Sequence, residues 1–116
     1  MAKDLFTVTD CLGRKITCTH STWHGHIIKG HKMMRGNLNI VKDVVSTPDL
    51  ILTSSTVDNI QVYFKATPTA TYGNNPKQRI TKVAVAFDDD DNGDVRTAYP
   101  APDFKGGVDC ANPVYP

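Results

Sequence analysis

No apolar run in these 116 residues approaches the roughly 18–20 positions needed to cross a bilayer. The first ten residues lack a basic stretch followed by an apolar one, so no secretory signal is expected. Cysteine is scarce and odd in number. Cys11, Cys18 and Cys110 cannot all pair, and without an export signal they favour free thiols in a cytoplasmic setting over a disulfide framework. Also missing are a P-loop, a GxGxxG turn, a GxSxG elbow and an HExxH helix. Their absence removes the common nucleotide-binding, serine-hydrolase and zincin chemistries. No pair of candidate catalytic carboxylates stands outside one acidic turn. There is no internal repeat and no linker.

What remains suffices for one domain. Hydrophobic residues make up 40% of the chain, enough for one continuous core between two packed layers. The reading is a single domain over 1–100 and an irregular, proline-containing tail over 101–116. The net charge of +1 hides an uneven distribution. Residues 1–45 carry seven Lys/Arg against three Asp, whereas residues 88–116 carry two against seven. The first two-thirds could therefore offer a basic face to an anionic partner, with the acidic groups elsewhere.

Two alternating segments, Leu5–Thr9 and Lys15–Thr19, flank a turn at Gly13 and predict an N-terminal hairpin. From Ser21 to Gly36 the period becomes helical. Ser21 or Thr22 is the candidate N-cap, Gly36 the candidate C-terminal stop, and Trp23, Ile27 and Met34 the buried stripe. Gly25 and Gly30 each cost that helix about 1 kcal/mol relative to alanine. A second helix is expected at Leu38–Ser46, ended by Thr47-Pro48. Strands follow at Leu50–Ser54, Ile60–Ala66, Ile80–Phe87 and Val95–Tyr99. Ile80–Phe87 is apolar on both faces and reads as a central strand. The stretch Thr67–Gln78, rich in Thr, Pro, Asn and Gly, reads as a long functional or disordered loop. The expected fold is α+β: an N-terminal hairpin and two helices packed on one face of a roughly four-stranded antiparallel sheet.

All four histidines, His20, His24, His26 and His31, crowd the first helix. His31 falls beside the buried stripe and His26 on its opposite margin. At about 100° per residue the two lie about 140° apart on an ideal helix, so both reach one group only if the helix is short or broken. An imidazole ionises near neutral pH, which suits proton transfer. The structural alternative is a core-edge His31 and a solvated His26. His20 and His24 are four apart, as helical zinc ligands can be, with Cys11 and Cys18 upstream, but the spacing fits no standard zinc pattern. Asp88–Asp94 resembles half a calcium loop. Its twelfth position falls on Tyr99, which has no carboxylate, so Asn92-Gly93 is read as a hairpin turn. On the last strand, alternation puts Thr97 and Tyr99 on one face and Arg96 and Ala98 on the other.

These residues resemble, in order, the phage-type branch of the barnase–EndoU–colicin–RelE-like nucleases. The resemblance rests on Asp10–Cys18, on Trp23, His26, Ile27 and His31, on Pro48–Ile51, on Val62–Lys65 and on Asn92–Tyr99. It spans most of the chain. It implies metal-independent RNA cleavage with no cofactor, by a monomer, with RNA as partner and a protein inhibitor (immunity protein or antitoxin) as a further one. Carried onto this chain, the active-site groups are His26, His31, Thr97 and Tyr99. Lys29, Arg35, Lys65 and Arg79 are the candidate RNA-binding cations. Relatives carry an acidic, proline-containing step after the second histidine, where this chain has Lys32-Met33. That departure and the two helix glycines favour a competing expectation, a module that binds RNA or a protein without cutting, and a zinc-stabilised domain is a third.

Overall fold

Strand Ile80–Phe87 (β5) is buried on both sides because both of its alternating sets are largely apolar. In the computed structural model it is the middle strand of a seven-stranded mixed sheet. The structure describes residues 3–54, 57–67, 79–101 and 110–115, the last group as backbone except at Val114 and Tyr115. The other strands are Asp4–Thr9 (β1), Lys15–Thr19 (β2), Leu50–Ser54 (β3), Ile60–Ala66 (β4), Gly93–Ala101 (β6) and Cys110–Tyr115 (β7). Their spatial order is β1-β2-β6-β5-β4-β3-β7.

The α+β class stands, but the expected four-stranded antiparallel sheet under a hairpin and two helices does not. The hairpin joins the sheet edge instead of packing on its face. β2 runs parallel to β6 through Ile16 opposite Gly93 and Thr17 opposite Asp94. At the other edge, β7 comes from the tail expected to be irregular and pairs antiparallel with β3. Pro113 is tolerated there because an edge strand needs only half its backbone donors. The long loop expected over Thr67–Gln78 lies, after Thr67, outside the described residues.

The helical part also differs. Leu38–Ser46 (α3) is the one α-helix longer than a single turn among the described residues, and its Val41, Val44 and Val45 are buried on the sheet. The expected helix from Ser21 to Gly36 is instead a mixed segment, 20–30, followed by a separate 3-10 turn at Lys32–Met34. It opens with His20–Thr22 (α1), widens into a π-turn at Trp23–Ile27 and closes with Ile28–Gly30 (α2). Its N-cap is Thr19, whose hydroxyl accepts from the Thr22 amide at 3.2 Å, rather than Ser21 or Thr22. The i→i+5 bond from Ile28 N–H to the Trp23 carbonyl marks the widening. At φ −136°, ψ 81°, His31 leaves helical geometry. Gly36, at φ 81°, turns the chain into α3. The apolar stripe is as expected: Trp23, Ile27 and Met34 are buried against the sheet face formed by Val83, Val85, Val95 and Ala98.

Asn92-Gly93 does not make the tight turn. Asp91 takes the positive φ (60°), and the Asp88 carboxylate accepts from the amides of Asp90 and Asn92 at 3.0 and 2.9 Å. Gly93 opens β6, and a Cβ there would lie 2.6 Å from Ile16 Cδ1, 2.6 Å from Val85 Cγ1 and 2.9 Å from Phe87 Cε1. The glycine lets the β2 and β5 side chains meet over β6.

Candidate functional site

β6 pairs with β2 only over its first residues. Past that point the chain leaves β2 into the helical segment, which packs along β6 in place of another strand. The segment buries Trp23 and Ile27 against β6 residues such as Ala98, and this brings the histidines to the last strand. The imidazole of His31 lies flat against the phenol ring of Tyr99, with centroids 5.3 Å apart and planes 27° from parallel. His31 and Tyr99 are both half-buried. The break in the helix at His31 is what frees its ring from the helical angular sequence.

β6 carries a bulge. Ala84 faces Thr97 while Val85 faces Val95, leaving Arg96 extra. Val95 and Ala98, three apart, therefore both enter the core. Arg96 is exposed and lines an open depression of about 350 Å³ with Ser21, Thr22, Gly25 and His26. So the structure joins His31 to Tyr99, and His26 to Arg96. Thr97 is half-buried opposite Ala84. Strict alternation put Arg96 and Ala98 on one face, and the extra residue of the bulge lies outside any such pattern. No signal in the strand's composition marks it.

Among the four candidate cations, Lys29, Arg35 and Arg79 are exposed. Lys65 is engaged: its Nζ donates to Thr47 Oγ1 at 2.7 Å and pairs with Asp43 Oδ2 at 2.9 Å, tying β4 to the end of α3. His20 and His24 form a ring pair at 4.2 Å on the exposed side. Cys18 is buried, and burial together with the nearby Asp94 charge pushes its thiol up to about 12. Among the described residues, no three His, Cys, Asp or Glu side chains gather as a metal site.

A second polar cluster escaped the sequence reading. Asp10 is buried after β1, and its carboxylate accepts from the amides of Leu12 and Arg14, from Arg14 Nε and from the Tyr63 hydroxyl. Arg14 also donates Nη1 to Gln61 Oε1 at 2.9 Å and Nη2 to Tyr63 at 3.0 Å, with its guanidinium 4.2 Å above the Phe87 ring. Burial opposes the Asp10 charge, but the Tyr63 and Arg14 hydrogen bonds and the Arg14 charge outweigh it and lower the carboxyl below its ordinary value. Burial and the bond to Asp10 push the Tyr63 phenol up. Every buried polar side-chain atom here is satisfied within the protein, which makes the cluster a clasp between the hairpin and β4.

No protein-family model, curated protein or solved structure matches the chain. Among the described residues no helix is long and apolar enough to cross a membrane.

Proposed function

We propose that this chain is a metal-independent endoribonuclease of the barnase–EndoU–colicin–RelE-like kind, acting on RNA in the cytoplasm. The observation that carries this reading is the stacking of His31 on Tyr99, which joins the helical segment to the strand that the resemblance assigns to the active site. In the reaction, one histidine takes the 2′-hydroxyl proton as O2′ attacks phosphorus. The bond from phosphorus to O5′ breaks, and the other histidine protonates the leaving oxygen. The products are a 2′,3′-cyclic phosphate and a free 5′-hydroxyl. Thr97 and Tyr99 hold the phosphate and steady the charge of the phosphorane. Exposed Lys29, Arg35 and Arg79 supply long-range attraction for the RNA backbone. A toxin-like or phage-associated nuclease of this kind calls for a protein inhibitor in the cell that makes it.

A second reading is a module that binds RNA or a protein partner without cutting. It is favoured by the different surroundings of the two histidines, since His26 shares its depression with Arg96 whereas His31 rests on Tyr99. One experiment separates the two: end-labelled RNAs are incubated with wild type, His26→Ala and His31→Ala in the presence of EDTA. The nuclease reading expects cyclic-phosphate ends from wild type and a loss of at least a hundredfold in each variant. No cleavage of any RNA by wild type, or full activity in both variants, would overturn it.

A further inference from the structure

We infer that the depression between the π-turn and the β6 bulge is a phosphate-binding site, with Arg96 as its cation. Among the described residues, Arg96 has no carboxylate and no hydrogen-bond acceptor as partner. The bulge aims it: with Val95 and Ala98 both locked in the core, the backbone carrying Arg96 is fixed on either side. Across the depression stand the hydroxyls of Ser21 and Thr22 and the imidazole of His26, all groups that can donate to an oxyanion. Among the described residues, no acidic side chain lines it.

Gly25 forms part of the wall. A Cβ there would meet nothing within 4 Å, so packing does not require the glycine. A residue that costs the segment helical stability thus leaves room next to the cation. A planar guanidinium engages two oxygens of one phosphate at once, and the surrounding hydroxyls and imidazole suit the remaining oxygens. The phosphate is either a free one or a diester of the RNA backbone. Only the second case rests on the endoribonuclease reading, where this site would hold a phosphate beside the one being cleaved.

The test is an NMR titration of the full labelled chain, following the His26 imidazole and Arg96 guanidinium signals. Inorganic phosphate is added first, then a 2′-deoxy oligonucleotide that cannot be cleaved. Saturable shifts of both side chains are expected. Arg96→Gln should weaken phosphate binding at least tenfold with an otherwise native amide spectrum, and Arg96→Lys should restore part of the affinity. Competition by the oligonucleotide at lower concentration identifies the backbone diester as ligand, and its absence identifies a free phosphate; either outcome supports the site. Equal phosphate affinity in wild type and Arg96→Gln, or shifts confined to Lys29 and Arg35, would overturn it. The two readings fail separately. A wild type that cuts no RNA but moves His26 with phosphate leaves the site standing. An Arg96→Gln variant with full cleavage and unchanged phosphate affinity leaves only the nuclease.

Discussion

The hydroxyl of Tyr63 donates to the carboxylate of Asp10 at 2.5 Å, joining the N-terminal hairpin to β4 across the intervening strands. Because β2 meets β6 through only two register pairs, this clasp is a main tie between the hairpin and the rest of the sheet. Asp10→Ala leaves Arg14 Nε and the Tyr63 hydroxyl without their acceptor and the Arg14 charge without its counter-ion. A loss of about 3 kcal/mol or more is expected, in the range for breaking one side of a buried ion pair. Denaturant titration at neutral pH measures it.

The same carboxyl sets an acid limit. Its pKa is lowered in the folded protein, so its contribution is fully present above the unfolded value of about 3.9. That contribution is lost as pH falls through the lowered folded value. Stability of the wild type should drop as pH falls below about 4. Asp10→Asn should be less stable at neutral pH and show a shallower decline over the same acid range. Parallel slopes for the two proteins would count against the carboxylate as the acid-sensitive group.

Gly93→Ala tests the crossing of β2 and β5 side chains above β6. The new methyl would stand 2.6 Å from carbons of both Ile16 and Val85. A cost of about 1–3 kcal/mol is expected from overpacking. It should be read as a shift in thermal midpoint, partly relieved by Ile16→Val, which removes the nearest flexible carbon.

Gly25→Ala should act in the opposite direction on stability. Open space surrounds the site, so alanine should stabilise the helical segment by up to about 1 kcal/mol. If the depression holds a phosphate, the same change should weaken binding there. A stabilised variant with undiminished phosphate affinity would show that the glycine is not kept for the ligand.

Lys65→Gln separates structural from RNA-facing cations. Its ammonium is spent on Asp43 and Thr47, a partly exposed pair worth under about 1 kcal/mol. RNA affinity should change less than twofold, whereas Arg35→Gln should weaken binding and reduce its salt dependence. Filter binding at two salt concentrations distinguishes them.

How far the sequence disclosed this architecture depends on the range of the interaction involved. α3 and β5 were legible because each is written in one local period, valines at helical spacing and an apolar set on both strand faces. The stripe of Trp23, Ile27 and Met34 was legible for the same reason. The place of the hairpin was not, since alternation in Lys15–Thr19 says which face is buried but not which strand lies alongside. β7 was hidden by Pro113 and its neighbours, whose composition reads as tail. The site was half visible. Histidine clustering pointed to the helical segment, and the ordered resemblance pointed to Thr97 and Tyr99. Arg96 was missed because a single extra residue in β6 re-aims it. The Asp10–Arg14–Tyr63 clasp was missed because its members look unremarkable until the hairpin is docked.

Parallel pairing of β2 with β6 has a consequence for synthesis. The helical segment emerges before the strand it rests on by more than half the length of the chain. At ordinary elongation speeds that interval is on the order of 3–14 s. During it, Trp23 and Ile27 have no β6 to cover and His31 has no Tyr99 to rest on. The ribosome thus delivers the two halves of the candidate site as a sequence in time, and the surface that would meet a ligand exists only after the sheet's sixth strand has been made.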